Sequence, residues 1–137
     1  MHLDRFLNVP AARLPAAGTG SLEALTVCWD RQGQVEEAAA EVAGFLRAGG
    51  SRAEVIAELG HALLQEDAGF HWFQLYEAGV RQALAWPDGS EPSLLVLVAV
   101  ARFLAAHTPT RRELATVVRT AARLRRGEPV YEDDPED

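Results

Sequence analysis

Two short stretches hold the residues whose types and spacing could do chemistry. In Glu58-Leu59-Gly60-His61 a carboxylate and an imidazole stand at i and i+3, and on a helix that spacing puts both heads on one face. Bundles that bind two irons use two Glu-x-x-His pairs and two further glutamates. This chain has one such pair, because His2, His71 and His107 lack a glutamate three residues before them. Glu58 and His61 are therefore a candidate site for a lone iron. The competing reading is a surface glutamate beside a half-buried histidine, with Gly60 admitting a neighbouring helix.

The second stretch is Glu66-Asp67-Ala68-Gly69-Phe70-His71-Trp72-Phe73. If it is helical throughout, Asp67 and His71 stand at i and i+4 and can form a charge-assisted pair. The aspartate would then raise the histidine's pKa by favouring imidazolium. Phe70, Trp72, Phe73, Tyr76 and Trp86 make the surroundings aromatic. Asp67, His71, Trp72 and Tyr76 are the candidate lining of a ligand pocket. The competing reading is a helix junction in which aspartate and histidine satisfy each other above packed aromatic rings.

Other constellations are thinner. Arg111, Arg112, Arg119, Arg123, Arg125 and Arg126 make the last segment basic, and a stripe of arginine can follow phosphates. No helix-turn-helix pattern precedes it, and arginine late in a helix also complements the macrodipole, so nucleic acid is not the expected partner. Cys28 shares an apolar stripe with Leu25 and reads as core rather than nucleophile. A Gly-rich phosphate loop, Gly-x-Ser-x-Gly and Cys-x-x-Cys are all absent from the chain.

The elements that must position these residues are helices. Ser21 is a candidate N-cap for a helix over about 21–32, with Leu22, Leu25, Cys28 and Trp29 on one stripe. A second runs over 34–48, followed by Gly49-Gly50. Ser51-Arg52-Ala53-Glu54 has capping-box spacing and starts a stripe of Val55, Ile56, Leu59, Ala62 and Leu63. The pattern then continues to residue 85, as one long helix or as two with a break near Gly69; the break is the favoured reading. Pro87-Asp88-Gly89-Ser90 is a turn. The helix from Glu91 to about His107 is apolar all round between Leu94 and Val100 and should be central. The last helix begins near Thr108-Pro109, or at a Thr110–Glu113 capping box. Leu114, Val117, Val118, Ala121 and Leu124 are its expected core face, and Gly127 and Pro129 end it. No stretch alternates with period two. The expected fold class is all-α: an antiparallel bundle or short stack of five or six amphipathic helices.

At 137 residues the chain has the length of one domain. Residues 1–127 read as a single helical domain and 128–137 as a flexible acidic tail. The overall charge of −7 is concentrated in that tail, whose ten residues hold six acids. There is no lysine, and the single cysteine excludes an internal disulfide framework and any multi-thiolate metal site. The most apolar run, Leu94 to Ala101, is far shorter than the roughly 20 residues of a membrane helix. The N-terminus is too polar for a signal peptide. No membrane association is expected, and the unpaired cysteine points to a cytoplasmic location.

Three phrases carry a family resemblance: Leu3-Asp4-Arg5-Phe6-Leu7-Asn8-Val9-Pro10-Ala11-Ala12-Arg13-Leu14-Pro15, Leu63-Leu64-Gln65-Glu66-Asp67-Ala68-Gly69-Phe70-His71 and Glu77-Ala78-Gly79-Val80-Arg81-Gln82. Together they resemble the helical C-terminal half of bacterial Rieske 2Fe–2S or questin-oxidase-like oxidoreductases. The histidine-rich helical region of those proteins and the Cys2His2 ligand set of a Rieske cluster have no counterpart in this chain. The resemblance implies a truncated relative or an accessory domain that is not catalytic alone. The chain by itself is then expected to bind no cofactor, a lone iron being the exception. The alternative function is a helical protein-interaction scaffold, and a small metal-dependent enzyme using Glu58, His61, Asp67 and His71 is the third. Leu3 to Leu7 read as the end of a longer helix. The expected partner is a second copy or a helical protein, bound through that segment and the Phe70–Tyr76 region.

Overall fold

The computed structural model describes Pro15 and residues 18–129. The Leu3–Leu7 segment and all but the first two residues of the acidic tail lie outside the described residues. Among the described residues six helices follow one another: α1 Leu22–Cys28, α2 Val35–Arg47, α3 Arg52–Gln65, α4 Phe70–Ala85, α5 Glu91–His107 and α6 Glu113–Arg125. Among the described residues there is no strand. The fold is all-α, and among the described residues no helix is long and apolar enough to cross a membrane.

Local chemistry explains most boundaries. Ser21 Oγ accepts from Ala24 N and Ser51 Oγ from Glu54 N, so both serines act as N-caps. Pro92 stands in the first turn of α5, where its missing N–H costs nothing. Gly49 follows α2 with φ +88°, the left-handed conformation that closes helices. α1 is shorter than its apolar stripe suggested and ends at Trp29, whose N–H donates to the Thr26 carbonyl at 3.2 Å while that of Asp30 donates to the Val27 carbonyl at 3.3 Å. The stretch from 52 to 85 is two helices. Glu66 to Gly69 leave the helical path, and Gly69 is the N-cap of α4.

Helix α5 is the axle. Leu97, Val98, Val100, Ala101, Leu104 and Ala105 are buried, and α2, α3 and α4 all pack on it. α2 contributes Ala38, Ala39, Val42 and Ala43, and α3 contributes Val55, Leu59, Ala62 and Leu63. Small residues bring these helices close. A Cβ on Gly79 of α4 would collide with a methyl of Val100, and one on Gly60 of α3 would fall 2.7 Å from the Tyr76 hydroxyl. Gly60 is thus the close-packing glycine that the Glu58–His61 spacing suggested. Cys28 is buried, and burial, then Glu41 and Glu37, push its thiol pKa up. It is a core residue, not an activated nucleophile.

Helix α6 departs from expectation. None of its residues is buried. The apolar stripe read from sequence as a core face is present, but it faces solvent.

Candidate functional site

The root of α6 is built from the break between α3 and α4. The Glu66 side chain is fully buried. One of its oxygens accepts from the Thr110 amide and hydroxyl, both at 2.6 Å. The other accepts from Arg112, with Nε and Nη2 each at 2.8 Å. Arg112 also binds the turn that follows α1: Nη1 reaches Asp30 at 2.7 Å and Nη2 the Trp29 carbonyl at 3.0 Å. The Glu66 hydrogen bond, then that of Asp30, raises the arginine's pKa against the opposing effect of burial. Arg112 holds φ +55°, ψ +35°, a left-handed conformation that costs roughly 1–2 kcal/mol for a residue with a Cβ. Such strain persists where the surroundings over-determine it, and here Glu66, Asp30 and Trp29 do.

Asp67 completes the clamp. Its amide donates to Thr110 Oγ1 at 2.9 Å, and its carboxylate accepts from the amides of Leu114 at 2.8 Å and Glu113 at 3.0 Å. Those are the first two amides of α6. They hold the Asp67 carboxyl below the usual carboxylate range, Leu114 first and Glu113 second. A carboxylate at this point also complements the positive end of the helix dipole. The start of α6 is therefore held by side chains from another part of the chain, not by its own capping box: Thr110 is spent on Glu66.

From this root α6 projects with its stripe uncovered. Leu114, Val117, Val118 and Leu124 are each between 58% and 62% exposed. Leu114, Val117, Ala121 and Leu124 follow spacings of three, four and three, the a/d seam by which a helix meets a helical partner. Charge is segregated in the same way. Residues 18–110 carry twelve acids against five arginines, net −7, residues 111–126 carry six arginines and Glu113, net +5, and the six acids of residues 128–137 follow directly, Glu128 pairing with Arg126.

The residues singled out from sequence are dispersed. Asp67 precedes α4 instead of sharing a helix with His71, so the i,i+4 pair is not formed; the helix break re-aims the carboxylate at α6. His71 is exposed, with Nδ1 2.9 Å from Gln74 Oε1. Trp72 packs edge-on against Phe103 and His107. The Tyr76 hydroxyl donates to the Ile56 carbonyl at 2.9 Å, and burial raises its pKa. The hydrogen bonds and ring contacts of these four residues thus run to different partners. Glu58 and His61 do share α3, but Glu58 accepts from Thr26 Oγ1 at 2.8 Å and Trp29 Nε1 at 3.1 Å, while His61 pairs with Gln65. Among the described residues no three His, Cys, Asp or Glu side chains gather as a metal site.

The described residues form several concavities, among them two of about 690 and 520 Å³. A polar cleft of about 690 Å³ lies between the α2–α3 and α4–α5 turns. Its Arg52 is committed to structure, donating to the Ala83 and Trp86 carbonyls at the end of α4, both at 2.9 Å, and to Ser93 Oγ at 3.2 Å. The other is an apolar groove of about 520 Å³ between α4 and α5, lined by Leu75, Ala78, Gly79, Val96, Ala99 and Val100 with Gln74 and Gln82 at its edges. Sequence reasoning missed the Glu66–Arg112 pair and this groove. The only signal for the first was an acid beside Asp67 in a stretch otherwise apolar or aromatic. The groove has none, since small residues on two helices define it jointly. No family model, curated protein or solved structure matches the chain.

Proposed function

We propose that this chain is a helical protein-interaction module and that α6 is its recognition helix. One observation carries the reading: α6 is fixed at its root by a fully bonded polar clamp, yet buries none of its own residues. An amphipathic helix is stabilised mainly by covering its apolar face, so an uncovered stripe on a fixed base is suited to a partner. Recognition by a helix laid into an apolar groove uses such i, i+3, i+4, i+7 anchors. Phe70 and Phe73 are exposed on α4 and extend the apolar surface near the root.

The partner is a second copy or another helical protein, and the compartment is a reducing, cytoplasmic one that suits the unpaired Cys28. An accessory domain of an oxidoreductase would use the same arm against a catalytic chain. The module reading is the better supported, because the arm accounts for it without any redox group. The test compares wild type with Val117→Asp/Leu124→Asp by light scattering after size exclusion and by capture from an extract of the source cells. Association, with itself or with a captured protein, is expected in wild type and lost in the variant at unchanged helicity. Equal behaviour of the two would overturn the reading.

A further inference from the structure

We propose that residues 130–137 of this chain lie back along the arginine face of α6 as an intramolecular cover, so that this face is closed to polyanions while the apolar stripe stays open. The inference goes beyond the module reading and does not depend on it. Arg119, Arg123 and Arg126 stand at i, i+4 and i+7, so at 3.6 residues per turn they share one side of α6. Leu114, Val117, Val118 and Ala121 stand on the other side.

The first residues after the helix already take this path. Gly127 holds φ +71°. Its amide donates to the Leu124 carbonyl and the Glu128 amide to the Arg123 carbonyl, both at 3.0 Å. These two bonds make a Schellman closure. The Glu128 carboxylate then accepts from Arg126 Nε at 2.6 Å and Nη2 at 3.1 Å, and the Pro129 carbonyl accepts from Arg123 Nη2 at 2.7 Å. As the chain advances by one residue, its contact thus moves back along α6 from Arg126 to Arg123. The Arg126 hydrogen bond leads, and the charge of Arg123 adds, in lowering the Glu128 pKa. Arg119 is the next cation on the stripe. It donates to Thr116 Oγ1 at 3.2 Å, and among the described residues it forms no ion pair.

Reach and charge select this occupant. From Arg123 to Arg119 the helix rises about 6 Å. Three extended residues span about 10 Å, so Glu132, Asp133 and Asp134 can meet Arg119 with Val130 and Tyr131 as the link. Residues 130–137 hold five acids and no base. The body over 18–110, at net −7, repels them, whereas residues 111–126, at net +5, attract them. Exposed ion pairs are individually weak. The short tether offsets this, because it holds the acids at an effective concentration on the millimolar scale. A free polyanion has to displace that local competitor before it can use the arginines.

The test uses the full chain. A nitroxide label is placed at Pro135→Cys, with wild type treated alike as the control for the buried Cys28, and broadening of amide signals is read by NMR. The Thr116, Arg119 and Arg123 amides are expected to broaden. They should sharpen when Glu132→Gln/Asp133→Asn/Asp134→Asn is added or salt is raised. Labelled chain mixed with isotope-enriched wild type should broaden nothing; broadening there would mean that the tail binds a second copy and would overturn the intramolecular cover. Broadening that misses α6, or that survives the triple substitution, would overturn it as well. Closure of the face is read with a fluorescent single-stranded DNA as the polyanion. The tail triple variant should bind it about tenfold more tightly than wild type. Glu37→Gln/Glu54→Gln/Glu91→Gln, which removes the same charge from exposed positions of the body, should not. Equal affinity of the two triple variants would show net charge alone at work and would overturn the closed face.

Discussion

The Arg112 guanidinium and the Glu66 carboxylate meet at 2.8 Å across 46 residues of sequence, and their contact sets where the last helix leaves the bundle. The pair does more than join two charges. Glu66 also takes both donors of Thr110, and Arg112 also ties down the end of α1. The α3–α4 break, the end of α1 and the start of α6 thus share one hydrogen-bonded network, of the kind in which removing one member strands the others.

Arg112→Ala should leave the buried Glu66 without its cation. The expected loss is about 3 kcal/mol, the low end of the range for breaking a buried pair, because the arginine side chain is 30% exposed. That corresponds to a fall in melting temperature on the order of 10 °C. Arg112→Gly loses the same ion pair but relieves the left-handed backbone, so it should be milder by ~1 kcal/mol. Thermal melts of the two variants side by side check this, and an alanine variant at least as stable as the glycine one would refute the strain.

Asp67 makes the arm's root sensitive to acid. Its folded pKa is depressed, so its contribution is complete above the unfolded value near ~3.9 and is lost as pH falls from there through the lower folded value. Protection of the Glu113 and Leu114 amides, followed by hydrogen exchange, should drop over that acid window while the α5 core stays protected. Asp67→Asn should weaken the same amides at neutral pH and remove the acid step. Unchanged protection in that variant would mean that α6 caps itself.

Glu58 offers a direct contrast between a metal ligand and a packing residue. It accepts the indole N–H of Trp29, which is only 2% exposed. Glu58→Ala should cost ~1–3 kcal/mol, the penalty for a buried donor left without its partner. Chelator added to wild type should leave the melting temperature where it was. A fall on chelation, with bound iron in the untreated protein, would restore Glu58 and His61 as a metal site.

Gly60 and Tyr76 should be coupled. A methyl at Gly60 meets the tyrosine hydroxyl at 2.7 Å while that hydroxyl is held by the Ile56 carbonyl. Gly60→Ala should destabilise by ~1–3 kcal/mol, as overpacked contacts do. Adding Tyr76→Phe removes the obstructing oxygen, so the double variant should be less unstable than the two single losses combined. Strict additivity in a double-mutant cycle would show that the two do not touch.

What the sequence determined by itself is local in origin. The helical class, the serine caps at Ser21 and Ser51, the turn at Pro87–Ser90 and the central place of α5 all follow from neighbouring residues and a 3.6-residue period. Those forces act within a turn or two of chain, so they can be read along it. The face of α6 was legible only as a stripe. Leu114, Val117, Val118 and Leu124 show that one side avoids water, but periodicity does not say which molecule supplies the cover, and here the rest of the described chain does not. The fate of Asp67 turned on tertiary structure for the same reason. Its spacing to His71 assumed a continuous helix, and Glu66, drawn to Thr110 and Arg112, accompanies a break that carries Asp67 to the start of α6. Bonds that span more than forty residues depend on how helices pack, and packing is decided by the summed fit of α2, α3 and α4 on α5, which no single stretch of sequence contains.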